Sequence, residues 1–317
     1  MVSCAVLTAL LIVSTSVAGE NNRIREDRFD PIDASRDRTV PLKIYRRPSS
    51  EPQPVILYSH GLGGSREDNG YLGRHWAAGG YIAVFMQHAG SDEQVWKSAP
   101  PEKRREALFR AANVKSFLDR NRDVSFVIDT IEAWNQHEGH ALNGQMDLAR
   151  IGMSGHSFGA VTTLSVAGRK FRGNRSFPEP RISAFFAMSP NPGEQLSPKE
   201  SFGHLQQPIL LMTGTNDGSP VNPAFRPADR LQVFNALPAG NKFQLVLNGG
   251  THFAFSDKRR YASQRNPDHH PAIQAISLKF WDAYLRGAAE AKTWLQSMAP
   301  IQETELVADD LWQWRDE

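Results

Sequence analysis

Continuous apolar runs recur along the chain and alternate with segments of helical periodicity. The runs lie at 54–59, 81–86, 147–154, 182–188, 208–213 and 242–247. Runs of this kind are typical of strands buried on both faces of a parallel sheet. Helices are predicted at 71–78, at 102–134 with an interruption near 121–123, and at 160–167, 224–237 and 272–286. Strands that alternate with helices predict an α/β fold, with a mostly parallel central sheet and helices on both faces.

The N-terminal segment differs from the rest of the chain. Residues 5–13 are a run of apolar and small residues, and further small residues follow as far as Gly19. This pattern is typical of a signal peptide that is cleaved after Ala18 or Gly19, and the apolar run is too short for a stable membrane anchor. We therefore expect a signal peptide at 1–19 and a secreted or periplasmic protein.

The boundaries of the other segments of the chain follow from hydrophobic periodicity and charge. Residues 20–38 are charged and aperiodic, which predicts an N-terminal arm, and residues 39–45 alternate as an edge strand would. A single α/β domain is expected over 39–300, with a C-terminal tail at 301–317. Its connections are short, so we expect no large lid domain.

Composition excludes several classes of function. The 317 residues are 40% hydrophobic and 22% charged, as in ordinary soluble proteins. A net charge of +2 is too small to indicate nucleic-acid binding. The only cysteine, Cys4, lies in the expected signal peptide, so neither a disulfide nor thiol chemistry is expected in the mature protein.

The residues Gly155-His156-Ser157-Phe158-Gly159 form a G-x-S-x-G motif between a predicted strand and a predicted helix. In that context the motif predicts a nucleophile elbow, a strand-to-helix turn so sharp that side chains at the glycine positions would collide with neighbouring segments. Ser157 is the predicted nucleophile.

Two further residues complete this arrangement. Asp217 follows the strand at 208–213, and His252 follows the strand at 242–247. The chain order Ser, Asp, His is that of the α/β-hydrolase triad. A serine hydroxyl is a weak nucleophile until an imidazole accepts its proton, and a carboxylate orients that imidazole. We therefore expect Ser157, Asp217 and His252 to be catalytic.

The loop His60-Gly61-Leu62-Gly63-Gly64 follows the strand at 54–59. An oxyanion hole uses the amide after the nucleophile and one from this loop, which here predicts the amides of Phe158 and Leu62. The loop lacks the lysine and hydroxyl residue of a phosphate-binding P-loop.

The sequences Ser59–Ser65, Gly79–Val84 and Gly155–Gly159 resemble the platelet-activating-factor acetylhydrolase branch of the α/β-hydrolases, which shades into dienelactone-hydrolase-like and cutinase-like esterases. The resemblance covers about 55–286. It implies an α/β-hydrolase fold and an oxyanion hole at Leu62 and Phe158. Two features depart from these relatives: Ser157 stands where dienelactone hydrolases have cysteine, and the membrane-docking helices of the plasma enzymes have no clear counterpart.

The sequence thus predicts an exported serine hydrolase of carboxylic esters that needs no cofactor or metal. Its expected partner is a small-molecule or lipid-like ester rather than a nucleic acid. His88 and Trp96 follow the strand at 81–86 and are candidates for the pocket wall. Three alternatives stay open. They are an acetylhydrolase or phospholipase A2-type activity on short-acyl or oxidised phospholipids, acyl transfer to an alcohol acceptor, and a non-catalytic binding protein with this fold.

Overall fold

A computed structural model describes residues 23–315. The expected signal peptide at 1–19 lies outside the described residues. The strands in chain order are β1 (Arg25–Phe29), β2 (Ile32–Asp33), β3 (Arg38–Thr39), β4 (Leu42–Arg46), β5 (Gln53–Ser59), β6 (Ile82–Met86), β7 (Met146–His156), β8 (Ile182–Met188), β9 (Ile209–Asn216), β10 (Lys242–Thr251) and β11 (Leu311–Arg315).

The helices in chain order are α1 (Gly70–Ala78), α2 (Gln94–Lys97), α3 (Arg104–Ala111), α4 (Val114–Gln136), α5 (Phe158–Val166), α6 (Pro198–Phe202), α7 (Leu231–Ala236), α8 (His269–Leu285), α9 (Ala289–Leu295) and α10 (Ala299–Gln302). Three 3₁₀ turns accompany them, at Pro101–Lys103, Pro227–Arg230 and Arg259–Gln264.

Nine of these strands form one sheet, in the order β1-β4-β6-β5-β7-β8-β9-β10-β11. The six strands from β6 to β10 in this order are parallel, and β1, β4 and β11 run antiparallel to their neighbours. The predicted mostly parallel sheet is therefore confirmed. Because parallel strands end at the same edge, the loops after β5, β7, β8, β9 and β10 lie side by side there.

Apolar side chains cover both faces of the sheet. One cluster joins it to α4, α5 and α7, and the other joins it to α1, α8 and α9. Strand β5, which has a parallel neighbour on each side, is buried along its whole length. Burial on both faces explains why this strand reads as a continuous apolar run.

Both ends of the described chain extend the sheet, whereas the sequence predicted an irregular arm and a tail. Strand β1 pairs with β4, so β4 is not an edge strand as predicted. The two strands are joined by ion pairs, Asp27 with Arg46 (2.7 Å) and Glu26 with Lys43 (2.9 Å). Charged pairs across the strands replace apolar alternation, which is why the segment gave no periodic pattern.

Two predicted helices have different bounds in the structure. The predicted interruption near 121–123 is wrong, because α4 is continuous there and the break comes before it, at Asn113, whose side chain caps α4 through the Ser116 amide (2.9 Å). The polar residues at 121–123 suggested a loop, but Asn121 and Asp123 are buried within the helix. The helix predicted at 224–237 is a 3₁₀ turn followed by the short α7.

Among residues 23–315, no helix combines the length and apolarity needed to cross a membrane.

Candidate active site

Ser157 lies in the sharp turn between β7 and α5. Its backbone has φ 57° and ψ −113°, a conformation that costs a non-glycine residue on the order of 1–3 kcal/mol. Glycines make the turn possible: a Cβ at Gly155 would overlap the carbonyl of Gly159, and a Cβ at Gly159 would overlap the carbonyl of Ser59. The Ser157 amide donates to the Met188 carbonyl of β8 (2.9 Å). These contacts hold the Ser157 hydroxyl at the edge of the sheet.

Three predicted site residues come together at this edge. His252 Nε2 lies 3.0 Å from Ser157 Oγ, and His252 Nδ1 lies 2.8 Å from Asp217 Oδ1. Asp217 is fully buried and His252 is 7% exposed. Because the Nδ1 proton is donated to the carboxylate, Nε2 is left to accept the Ser157 proton. The arrangement is suited to general-base activation of the serine.

The carboxylate of Asp217 has a partner for each oxygen. Oδ2 accepts from Thr213 Oγ1 (2.9 Å), and Oδ1 pairs with Arg230 Nε (2.9 Å) as well as with His252. Burial by itself raises the pKa of the Asp217 carboxyl, but the hydrogen bond and charge of His252, together with the charge of Arg230, outweigh it and lower this pKa overall. Asp217 is therefore ionised at neutral pH.

Arg230 is a site residue that the sequence reasoning missed. Its Nη1 donates to the carbonyls of Ser189 (2.9 Å) and Pro190 (3.0 Å), and its Nη2 donates to Gly218 (3.2 Å). The side chain is 3% exposed and joins the loops after β8 and β9. No motif marks an arginine at this position, so only the three-dimensional contacts reveal it.

His156, the residue before the nucleophile, supports the loop of His252. Its Nε2 lies 3.0 Å from the His252 carbonyl oxygen, to which it donates, and the two rings are 4.8 Å apart. Burial, assisted by the nearby His252, lowers the pKa of His156 to about 3. A neutral His156 therefore acts as a hydrogen-bond donor to the backbone.

Leu62 and Phe158, the predicted oxyanion-hole residues, lie beside Ser157 at one cavity. Within residues 23–315, neither backbone amide has a hydrogen-bond partner. Both donors are thus free to bond a ligand.

The cavity has a volume of about 400 Å³, which lies within the range of small-molecule sites. Its walls combine apolar side chains with the residues described above. Leu108 of α3 and the adjacent Ala112 border it, together with Phe253 and Tyr261 from the segment after β10. A short helical segment therefore borders the cavity.

His88 and Trp96 do not line this cavity, contrary to the sequence prediction. His88 is fully buried and bonds Ser59 Oγ and Asp123 Oδ2, both at 2.9 Å. Trp96 lies behind the loop and donates to the Gly63 carbonyl (2.8 Å). Both residues follow a strand that ends at the correct edge, but buried polar partners hold them away from the cavity.

Metal binding was not expected from the sequence. In the part of the chain that the structure describes, no group of three or more histidine, cysteine, aspartate or glutamate residues is placed to hold a metal ion.

Comparison with known proteins identifies the fold. No family model matches the chain, and no curated protein matches it in sequence. Among solved structures, the ferulic acid esterase from Streptomyces cinnamoneus is similar, with a TM-score of 0.58 and 18% sequence identity over 86% of this chain and 93% of that one. The likeness, together with the sheet order, shows the α/β-hydrolase type of fold.

Proposed function

We propose that this protein is a serine hydrolase that cleaves carboxylic esters through an acyl-enzyme intermediate. The observation that carries the proposal is the continuous chain of hydrogen bonds from Ser157 through His252 to Asp217. The Ser157 end of this chain lies at a cavity large enough for a small-molecule ligand. Two backbone amides that have no hydrogen-bond partner among the described residues lie beside it. The esterase of similar fold supports the reaction class.

In the first half of the reaction, the Ser157 hydroxyl attacks the ester carbonyl while its proton passes to His252 Nε2. The amides of Leu62 and Phe158 stabilise the negative charge that forms on the carbonyl oxygen. Asp217, kept ionised by its buried partners, stabilises the imidazolium without taking its proton. The tetrahedral intermediate collapses when His252 donates the proton to the departing alkoxide, which leaves as an alcohol.

In the second half, water attacks the Ser157 acyl ester. His252 accepts the proton of that water and then returns it to Ser157, so the products are a carboxylic acid and the free enzyme.

Labelling with a fluorophosphonate tests this proposal. The wild-type protein should react at Ser157, as located by peptide mass spectrometry, and Ser157→Ala should neither be labelled nor hydrolyse p-nitrophenyl butyrate. A panel that adds feruloyl esters and short-acyl phospholipids would separate a general esterase from the acetylhydrolase alternative. A wild-type protein that hydrolyses none of these esters, and whose binding properties are unchanged by Ser157→Ala, would instead indicate a non-catalytic binding protein.

We also propose that the protein is exported, on the basis of the apolar segment at 5–13 and the small residues that follow it. Expression with the natural N-terminus, followed by mass measurement of the mature protein, should show cleavage after Ala18 or Gly19. An uncleaved protein retained in the cytoplasm would contradict export.

A further inference from the structure

The amide of Leu62 belongs to the same peptide unit as the carbonyl of Gly61. That carbonyl accepts hydrogen bonds from His60 Nδ1 (2.6 Å), from the Gly64 amide (3.1 Å) and from Arg120 Nη2 (3.4 Å). The N–H and C=O of a trans peptide point in opposite directions. Fixing the carbonyl therefore aims the Leu62 N–H away from these donors.

Arg120 contacts both segments that carry the free amides. Its Nη1 donates to the His60 carbonyl (2.7 Å), which lies in the same loop as Leu62. Its guanidinium carbon lies 4.4 Å from the centre of the Phe158 ring, within the range of a cation–π contact. One side chain thus joins the loop after β5 to the first residue of α5.

Arg120 is itself held rigidly. It is fully buried in α4, and its Nε donates to Ser91 Oγ (2.8 Å). Its Nη1 lies 3.3 Å from Ser59 Oγ, which also bonds His88 Nε2, and His88 in turn bonds Asp123. The histidine that the sequence assigned to the pocket wall therefore belongs to the support of this arginine.

We propose that Arg120 is a positioning residue that sets the direction and donor strength of the Leu62 amide and fixes the loop after β5 against Phe158, which carries the second amide. This inference rests on the proposed function, because it assigns a role within that reaction. Arg120 lies behind the amides and does not line the cavity that would hold substrate.

Two physical effects give Arg120 this role. The planar guanidinium can bond the loop while its face packs on Phe158, a combination that a lysine ammonium cannot reproduce. Its positive charge also polarises the peptide groups that it contacts, which strengthens their N–H donors in a site of low dielectric. Burial lowers the pKa of Arg120 to about 9, so the charge is retained at neutral pH.

Steady-state kinetics of Arg120→Met and Arg120→Lys, with p-nitrophenyl butyrate as substrate, test the role. Loss of an oxyanion-hole donor reduces kcat by about 10²–10³-fold. Misorientation should cost less, so we expect kcat to fall by about 10- to 100-fold in Arg120→Met while KM changes by no more than about threefold. Arg120→Lys should lie between Arg120→Met and the wild type.

Inhibitor binding separates this role from general damage to the cavity. A trifluoromethyl ketone forms a tetrahedral adduct with an oxyanion, whereas the matching methyl ketone binds without one. Arg120→Met should weaken the trifluoromethyl ketone by about the same factor as kcat and leave the methyl ketone unchanged. Equal weakening of both inhibitors would overturn the proposal.

Lys242→Met is the matched control, because Lys242 lies at the edge of the sheet opposite to the candidate site. Lys242 is a fully buried cation that bonds the carbonyls of Gln206 (3.1 Å) and Gly240 (2.7 Å) at the start of β10. Lys242→Met should lower the melting temperature but leave kcat unchanged. If Arg120→Met does not fold, Arg120→Lys and Ser91→Ala decide. Ser91→Ala removes the Nε partner, together with the bond from Ser91 Oγ to the His88 carbonyl, and should lower kcat by severalfold.

Two outcomes distinguish this inference from the proposed function. If the wild type hydrolyses no ester, the proposed function fails and the role of Arg120 fails with it. If the wild type is active and the folded Arg120 variants retain its kcat and its affinity for the trifluoromethyl ketone, only the role of Arg120 is wrong.

Discussion

Arg230 Nε lies 2.9 Å from Asp217 Oδ1, so the carboxylate that orients His252 is also part of a buried ion pair. Asp217 is fully buried and Arg230 is 3% exposed. Arg230 and His252 both contact Asp217 Oδ1. They keep this carboxylate charged, although burial alone would favour its neutral form.

Replacement of Arg230 by glutamine should affect both stability and catalysis. Breaking a buried ion pair from one side leaves an uncompensated charge, so we expect the free energy of unfolding to fall by about 3 kcal/mol. We also expect kcat to fall by about tenfold or more, because the Asp217 carboxylate and the loops around it lose a common anchor. Urea denaturation and steady-state kinetics measure the two effects.

Arg226→Gln is the matched control for that experiment. Arg226 directly precedes the same turn, but its side chain is exposed and pairs with Asp229. This variant should match the wild type in both measurements, since exposed pairs contribute little. Equal losses in Arg226→Gln and Arg230→Gln would show that the buried pair has no special role.

The tight packing of the elbow predicts that Gly159→Ala is severely destabilising. Its Cβ would overlap the Ser59 carbonyl at the end of β5, so the strand and the helix must separate, at a cost of about 3 kcal/mol or more. Gly218→Ala is the comparison, because the nearest heavy atom to its Cβ is 3.9 Å away. Similar melting temperatures for the two variants would contradict the close approach of β5 and α5.

The sequence predicted those parts of the fold and site that depend on local pattern. The parallel strands were recognisable because both of their faces are buried, and the order of Ser157, Asp217 and His252 followed from the loops after three of those strands. Strand β1 was missed because ion pairs, not apolar alternation, join it to β4. Arg120 and Arg230 were missed because each acts through loops 12 to 61 residues away in sequence, with no motif to mark it.

His88 was wrongly assigned to the pocket wall for the same reason, because its contacts also come from residues that are distant in sequence. Its position after β6 correctly placed it near the edge where the site lies. Its orientation depends on Asp123 of α4, 35 residues further along the chain. Burial in this contact lowers the pKa of His88 to about 4, an effect that outweighs the opposing attraction of Asp123. The side chain is therefore a neutral, buried support.

The cavity predicts a preference for short or compact acyl groups. Its volume of about 400 Å³ is near the lower end of the range for small-molecule sites. Across p-nitrophenyl esters of increasing chain length, kcat/KM should be highest for short acyl groups and should fall for long ones.

Variants of the cavity wall test that size limit. Leu108→Ala should extend the tolerated chain length, and Ala112→Phe should shorten it, because both residues border the cavity from the α3 side. Turnover that increases up to the longest chains, or that is unaffected by both variants, would contradict this selectivity.

Buried neutral histidines predict that the protein loses stability in mild acid. Burial lowers the pKa of His88 to about 4 and that of His156 to about 3, whereas a histidine in the unfolded chain has a pKa of about 6.5. Between these values the unfolded chain binds more protons than the folded one, so the free energy of unfolding decreases as pH falls from about 6.5 towards 4. Each histidine contributes up to about 1.4 kcal/mol per pH unit.

His156→Gln, which keeps a donor for the His252 carbonyl, tests this contribution. In urea denaturation, its free energy of unfolding should depend less steeply on pH over this range. A free energy of unfolding that is constant from pH 6.5 to pH 4 would show that these side chains take up protons without unfolding.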